Sequence, residues 1–153
     1  MRSCVLSLPL VLVAAACMAN DGLPAQPDVV LRVATDAQRY QTGDTAAVAM
    51  VVLPRDQTAT VEFRTAQRFD FAAFGGDRQV WRWSAERMFA QVLGEETYHR
   101  DDPVLYVVTW DLKDADGEPL PAGQYEVHGE LAAHPAQCSP AVTIEILDRS
   151  QKR

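Results

Sequence analysis

The chain has 153 residues, a formal net charge of −7, 48% hydrophobic residues and three cysteines. An acidic balance of this kind argues against nucleic acid as a partner and against direct adsorption to anionic lipid. There is no Cys-x-x-Cys, and His99, His128 and His134 lack ligand spacing, so neither a metal nor a cofactor is expected.

The first residues have the layout of an export signal. Arg2 is followed by an apolar run over residues 5–16, broken only by Ser7 and Pro9, and small residues Ala14-Ala15-Ala16 precede Cys17. The run is shorter than the ~20 apolar residues a membrane-spanning helix needs. Residues 1–16 are therefore expected to be a signal peptide with a lipobox-like end. Two outcomes stay open: cleavage before Cys17 with lipidation of that residue, giving a membrane-anchored envelope lipoprotein, or ordinary cleavage, giving a free periplasmic or secreted protein. In the first, Cys138 lacks a partner thiol; in the second, Cys17 and Cys138 can form a disulfide. Residues 17–27, rich in Ala, Asn, Asp, Gly and Pro, read as a linker. One domain over 28–147 and a polar tail over 148–153 follow, consistent with the ~100–150 residues usual for a single domain.

From residue 28 onward, short apolar runs of period two recur between turn residues, which predicts an all-β sandwich. Residues 29–34 predict an edge strand, and 41–44 a turn. Residues 46–53 are apolar on both alternating faces, as in a strand that is central or covered on both sides. After a turn at 54–57, Val61 and Phe63 alternate with Thr60, Glu62 and Arg64, a half-buried strand. Phe69 and Phe71 flank Asp70 in the next strand, and Gly75-Gly76-Asp77 turns it into a hairpin. The second arm places Trp81 and Trp83 on one face and Val80, Arg82 and Ser84 on the other.

Ser84 then suits the N-cap of one short helix, with Ala85, Met88, Phe89 and Val92 at i, i+3, i+4 and i+7 packing on the sandwich and Gly94 ending it. Residues 95–103 read as a polar stretch in which 97–99 pair briefly. Tyr106, Val108, Trp110 and Leu112 alternate with Val107, Thr109 and Asp111 in another strand, followed by a tight loop over 113–118. Tyr125, Val127, Gly129 and Leu131 are expected inward, with Gln124, Glu126, His128 and Glu130 outward. A tyrosine opening a late strand after a glycine turn suits a tyrosine corner, its hydroxyl tied back to the backbone. Residues 134–140 form a second irregular loop, and Val142, Ile144 and Ile146 mark the last strand.

Candidate chemistry along the chain is sparse. Asp114-x-Asp116-Gly117 imitates part of a calcium loop, but the first ligand position would be Leu112 and the bidentate glutamate position Gly123. A turn using Asp and Gly for their backbone preferences is the better reading. Glu95-Glu96 and Asp101-Asp102 are adjacent in sequence rather than opposed, which suits solvated surface better than general acid and base work. Ser84 lies in no Gly-x-Ser-x-Gly, and His128 sits between Glu126 and Glu130 on a wet strand face. No enzyme is expected. Trp81, Trp83 and Trp110 suit a platform for a carbohydrate or peptide, or core packing, which their alternation favours.

One wider pattern remains. Gln67-Arg68-Phe69-Asp70-Phe71, Val80-Trp81-Arg82-Trp83-Ser84, Met88-Phe89 with Gln91, Thr109-Trp110-Asp111, Gly117, and Pro121-x-Gly123-x-Tyr125, in this order and spacing, resemble the BsuPI family of intracellular proteinase inhibitors. The resemblance covers roughly residues 48–131. It implies an immunoglobulin-like β-sandwich, a protein partner, and inhibition of subtilisin-type serine proteases by binding. It carries over no inhibitory loop residue by residue; the long polar loops available for the role are 95–103 and 134–140. The alternative is a cell-envelope interaction or structural module without inhibitory activity.

Overall fold

Alternation at period two decides which side of each strand is buried, and the structure can be followed strand by strand from that rule. The computed structural model describes residues 28–149. The expected signal peptide, Cys17 with its linker, and residues 150–153 of the tail lie outside the described residues. Eleven strands follow in chain order: β1 (Val29–Thr35), β2 (Arg39–Gln41), β3 (Ala46–Pro54), β4 (Thr58–Phe63), β5 (Phe69–Gly75), β6 (Arg78–Arg82), β7 (Gly94–His99), β8 (Val104–Trp110), β9 (Gly123–Leu131), β10 (Gln137–Cys138) and β11 (Val142–Leu147).

They form a β-sandwich. One sheet has the order β1-β3-β8; the other has the order β2-β11-β9-β5-β6, with β10 alongside the end of β9; β4 and β7 pair in a separate two-stranded sheet. All ladders are antiparallel except that of β2 with β11. β1 is an edge and β3 is central, as expected. The inward faces of β1 and β3 contribute Val29, Leu31, Val33, Val48, Met50 and Val52, and they meet Phe71, Tyr125, Val127, Leu131, Ile144 and Ile146 from the facing sheet. The closest approach is at Gly129, where an added Cβ would stand 2.5 Å from the Met50 sulfur. Only a residue without a side chain fits there. β9 alternates inward and outward as its sequence predicts, and the Tyr125 hydroxyl donates to the Pro121 carbonyl at 2.8 Å, which is the expected tyrosine corner.

Two expectations fail. The short helix after Ser84 does not form, and the described residues contain no α-helix. Residues 83–86 make a turn, closed by Ala85 N–H to the Arg82 carbonyl at 3.2 Å and Arg87 N–H to the Ser84 carbonyl at 3.0 Å, and the chain then runs irregularly to Gly94. A helix this short depends on tertiary packing of its apolar face. Here most of that face is unpacked: Met88 is 100% exposed and Val92 54%, and only Phe89 meets a neighbour, the Trp83 ring. The polar stretch over 95–103 is also mostly strand, because Gly94–His99 is β7, paired along its whole length with β4. Its alternation is hidden in sequence by Glu96, which lies on the same side as the buried Tyr98 and is neutralised there by an ion pair with Arg68. Only the turn of residues 100–103 is left as a loop.

Candidate functional site

One exposed segment outside the strands is residues 83–93, which includes the stretch after Ser84 that was expected to be helical. Its base is built on a buried charge. Asp70 lies on β5 between two phenylalanines and is 1% exposed. Its carboxylate accepts four hydrogen bonds: from Phe71 N–H (2.9 Å) and Ser84 N–H (3.1 Å) on one oxygen, and from Arg82 Nε (2.7 Å) and the Ser84 hydroxyl (2.5 Å) on the other. Arg82 also reaches Glu130 on β9, Nη2 to Oε2 at 2.9 Å. Burial opposes the charge on Arg82, but Asp70 and then Glu130 outweigh it and hold the guanidinium above its ordinary value. A buried carboxylate satisfied on both oxygens is stable where an unpaired one is not. The exit of the chain from β6 is thus fixed to β5 and β9 by charge-assisted bonds.

An aromatic ladder holds the next part of the segment. Tyr106 on β8 stacks on Phe69 with centroids 4.5 Å apart, and Phe69 stacks on Trp83, also at 4.5 Å. Trp83 in turn carries two side chains of the irregular segment. The Arg87 guanidinium lies 4.2 Å from the indole centroid while its Nε donates to the Trp83 carbonyl at 3.1 Å, and the Phe89 ring sits at 6.1 Å. One residue further, the Ala90 carbonyl accepts from Ala66 N–H at 2.9 Å. Met88 stands between these anchors with its side chain wholly in solvent, followed by Val92 and by Leu93, which is 81% exposed. Single exposed apolar residues are ordinary. Three within six residues, on a backbone held at both ends, are apolar groups that the fold itself does not use.

The tryptophans divide between core and surface. Trp110 is buried, stacks on Trp81 at 4.7 Å, and donates its Nε1–H to the Lys113 carbonyl at 3.0 Å. Trp81 and Trp83 are half-buried against the core, and their outer edges line an open cleft of about 570 Å³ that Asp111, Lys113 and Glu86 share. Core packing therefore describes Trp110 fully and the other two in part.

The other candidate residues are occupied by local structure. The Asp114 carboxylate accepts from Asp116 N–H and Glu118 N–H, both at 2.9 Å, and Gly117 takes a left-handed φ of 81°, as a turn requires. His128 lies 3.8 Å from the Glu126 carboxylate and meets the Phe74 ring edge-on at 5.4 Å. Glu95 sits opposite Glu62 in the β4–β7 ladder, and Asp101 and Asp102 are exposed in the turn before β8. Among the described residues no group of three or more His, Cys, Asp or Glu is placed to hold a metal ion. Residues 134–140, expected as an irregular loop, contain the short strand β10 and are tied down on either side of it: His134 N–H donates to the Glu62 carbonyl at 2.8 Å, Ser139 N–H to the Gly129 carbonyl at 2.8 Å, and Gly129 N–H to the buried Ser139 hydroxyl at 2.9 Å. Cys138 within it is disulfide-bonded.

Of the residues that organise the site, the sequence pattern marks Asp70, Arg82 and Met88 only as family-pattern or helix-stripe positions and Arg87 not at all; it gives none of them a role in a site. A signal was present: an acid enclosed by two phenylalanines and a base enclosed by two tryptophans, on strands joined by one hairpin, are each out of place unless they meet.

The sequence matches the model of the BsuPI family, described as intracellular proteinase inhibitor, over residues 33–136, which is more than half of the chain. No curated protein sequence matches it. Among solved structures the chain is similar to Spo0M, the sporulation control protein of Bacillus subtilis, with 12% identity over 78% of this chain and 49% of that one and a TM-score of 0.47. It is also similar to the alkylpurine DNA glycosylase AlkC of Pseudomonas fluorescens, with 9% identity over 78% of this chain and 30% of that one and a TM-score of 0.47. A CARDB domain from Pyrococcus furiosus follows, with 6% identity over 78% and 88% and a TM-score of 0.45. The chain spans about half the length of Spo0M. Structural likeness this distant carries no argument about function.

Proposed function

We propose that this chain, which belongs to the BsuPI family of proteinase inhibitors, inhibits a subtilisin-type serine protease by binding it through residues 83–93. An inhibitor family fits a protein that binds rather than catalyses. The observation that carries the reading is the anchored apolar segment: Met88, Val92 and Leu93 project from a backbone held by Trp83, Ala66 and the Asp70 carboxylate. A protease cleft binds an extended segment through its backbone and one or two side-chain pockets. A segment already fixed loses little conformational freedom on binding, so more of the contact energy appears as affinity.

The earlier candidates support this role less well. Residues 95–103 are mostly strand, and 134–140 are bonded to the sheet beneath them. Titrating subtilisin activity with the purified exported chain is the test. A stoichiometric fall in activity is expected, whereas full activity at micromolar protein leaves a cell-envelope interaction module without inhibitory activity.

The protease is proposed to be met outside the cytoplasm. The support is the order of Arg2, the apolar run and Ala14-Ala15-Ala16 before Cys17. A lipidated Cys17 sulfur cannot also close a bond to Cys138, so lipid anchor and Cys17–Cys138 disulfide exclude one another. The mass of the mature N-terminal peptide, with and without reduction, separates the two.

A further inference from the structure

Within the binding segment one residue differs from all its neighbours in how it is held. Arg87 and Phe89 both dock on the Trp83 indole, at 4.2 and 6.1 Å, while the side chain between them is 100% exposed. We infer that Met88 is the residue this chain inserts into the primary specificity pocket of its target, a serine protease whose pocket is deep and apolar. The inference rests on the inhibitor reading above and assigns that reading its central residue.

Three features favour Met88 over the other exposed apolar side chains. It is flanked on both sides by anchors, whereas Val92 and Leu93 lie within two residues of Gly94, where the backbone is already committed to the ladder with Phe63. It lies in residues 87–93, which belong to no strand, so its backbone is presented to a cleft rather than to a sheet. Its side chain is unbranched and apolar, able to fill a narrow slot that a β-branched residue such as Val92 enters poorly. The aromatic ladder behind Trp83 supplies the rigidity, because Phe69 and Tyr106 back the indole from the core side.

The same anchors bear on the fate of the bound segment. If the protease serine attacks the Met88 carbonyl, the Met88–Phe89 amide breaks, Phe89 leaves with a new amino group, and water then releases a Met88 carboxylate from the enzyme. Both new ends stay docked on one indole, which holds the amine beside the acyl carbon and favours resealing over loss. Slow, partial cleavage at this one bond is therefore expected.

The test measures inhibition constants for the full exported chain and three variants against a subtilisin-type protease and against trypsin. Met88→Asp is expected to lose about 30-fold or more in affinity for the first, the scale of an interface hot spot. Met88→Leu is expected to stay within a few-fold, and Met88→Lys to gain inhibition of trypsin. The side chain is fully exposed, so all three should melt with the wild type. Sequencing after long incubation should find a new N-terminus at Phe89. A wild-type chain that inhibits, with Met88→Asp inhibiting equally, overturns the role of Met88 and leaves the inhibitor reading standing. A wild-type chain that inhibits neither protease overturns both.

Discussion

Residues 83–93 and 132–141 both leave the six-stranded sheet without regular structure for most of their length, and they treat their side chains in opposite ways. The first follows β6 and sends Met88, Val92 and Leu93 into solvent. The second joins β9 to β11 and turns inward: Ala133 and Ser139 are buried, and backbone bonds tie Ala132 to Arg68, His134 to Glu62 and Ser139 to Gly129. The difference lies in what is buried beneath each. Under the first, a charge network and an aromatic ladder hold the backbone, which frees its apolar side chains from any packing duty. Under the second, the segment itself closes the end of the sandwich. Irregular structure is thus no guide to a binding surface; the guide is exposed apolar groups on a backbone fixed by something else.

Removing the charge network should break the contrast most strongly. Asp70→Ala leaves the half-buried Arg82 without its nearest partner and the Ser84 N–H and hydroxyl without an acceptor, and it is expected to cost about 3–5 kcal/mol in urea unfolding, with inhibition weakened as well. Wild-type stability in that variant means the network does not hold the segment. Ser139→Ala in the closed segment strips the buried Gly129 N–H of its hydroxyl partner, and about 1–3 kcal/mol is expected to be lost with inhibition unchanged. A fall in inhibition there would erase the distinction between the two segments. Tyr125→Phe removes the bond to the Pro121 carbonyl and should cost about 0.5–1.5 kcal/mol, again without effect on inhibition.

A smaller effect is expected from acid. Asp36, between β1 and β2, accepts from the Tyr40 hydroxyl at 2.7 Å and from Ala47 N–H at 2.8 Å, and these bonds, the tyrosine's first, hold its carboxyl below the usual value. Its contribution is present above the ordinary aspartate value of 3.8 and is lost as pH falls through the lowered one. Melting curves between about pH 5 and pH 2 should therefore decline less steeply for Asp36→Asn than for the wild type. The smallest change is reserved for the exposed side: Met88→Ala should alter stability by no more than about 0.5 kcal/mol.

Much of the sandwich was legible in the sequence because its strands alternate cleanly. Residues 123–131 gave inward and outward faces correctly, and Tyr125 after Gly123 pointed to its own hydrogen bond. β7 was harder to see, since Glu96 occupies a partly covered position that Arg68, just before β5, and the Tyr98 hydroxyl make tolerable. The false helix has the same root. Ala85, Met88, Phe89 and Val92 have helical spacing, but spacing reports a stripe and not whether anything lies beneath it. Ser84 looked like a cap, and its hydroxyl instead serves Asp70. The site escaped notice for a related reason: the Gly75-Gly76-Asp77 turn predicts that β5 and β6 pair, but not that Asp70 and Arg82 meet across them or that Ser84 joins the same carboxylate.

Amide hydrogen exchange of the chain with and without a saturating subtilisin-type protease tests the central claim most directly. Protection confined to residues 83–93, with 132–141 exchanging as in the free protein, is the expected result. Protection of 132–141, or of the β7–β8 turn at 100–103, with 83–93 unchanged would contradict it.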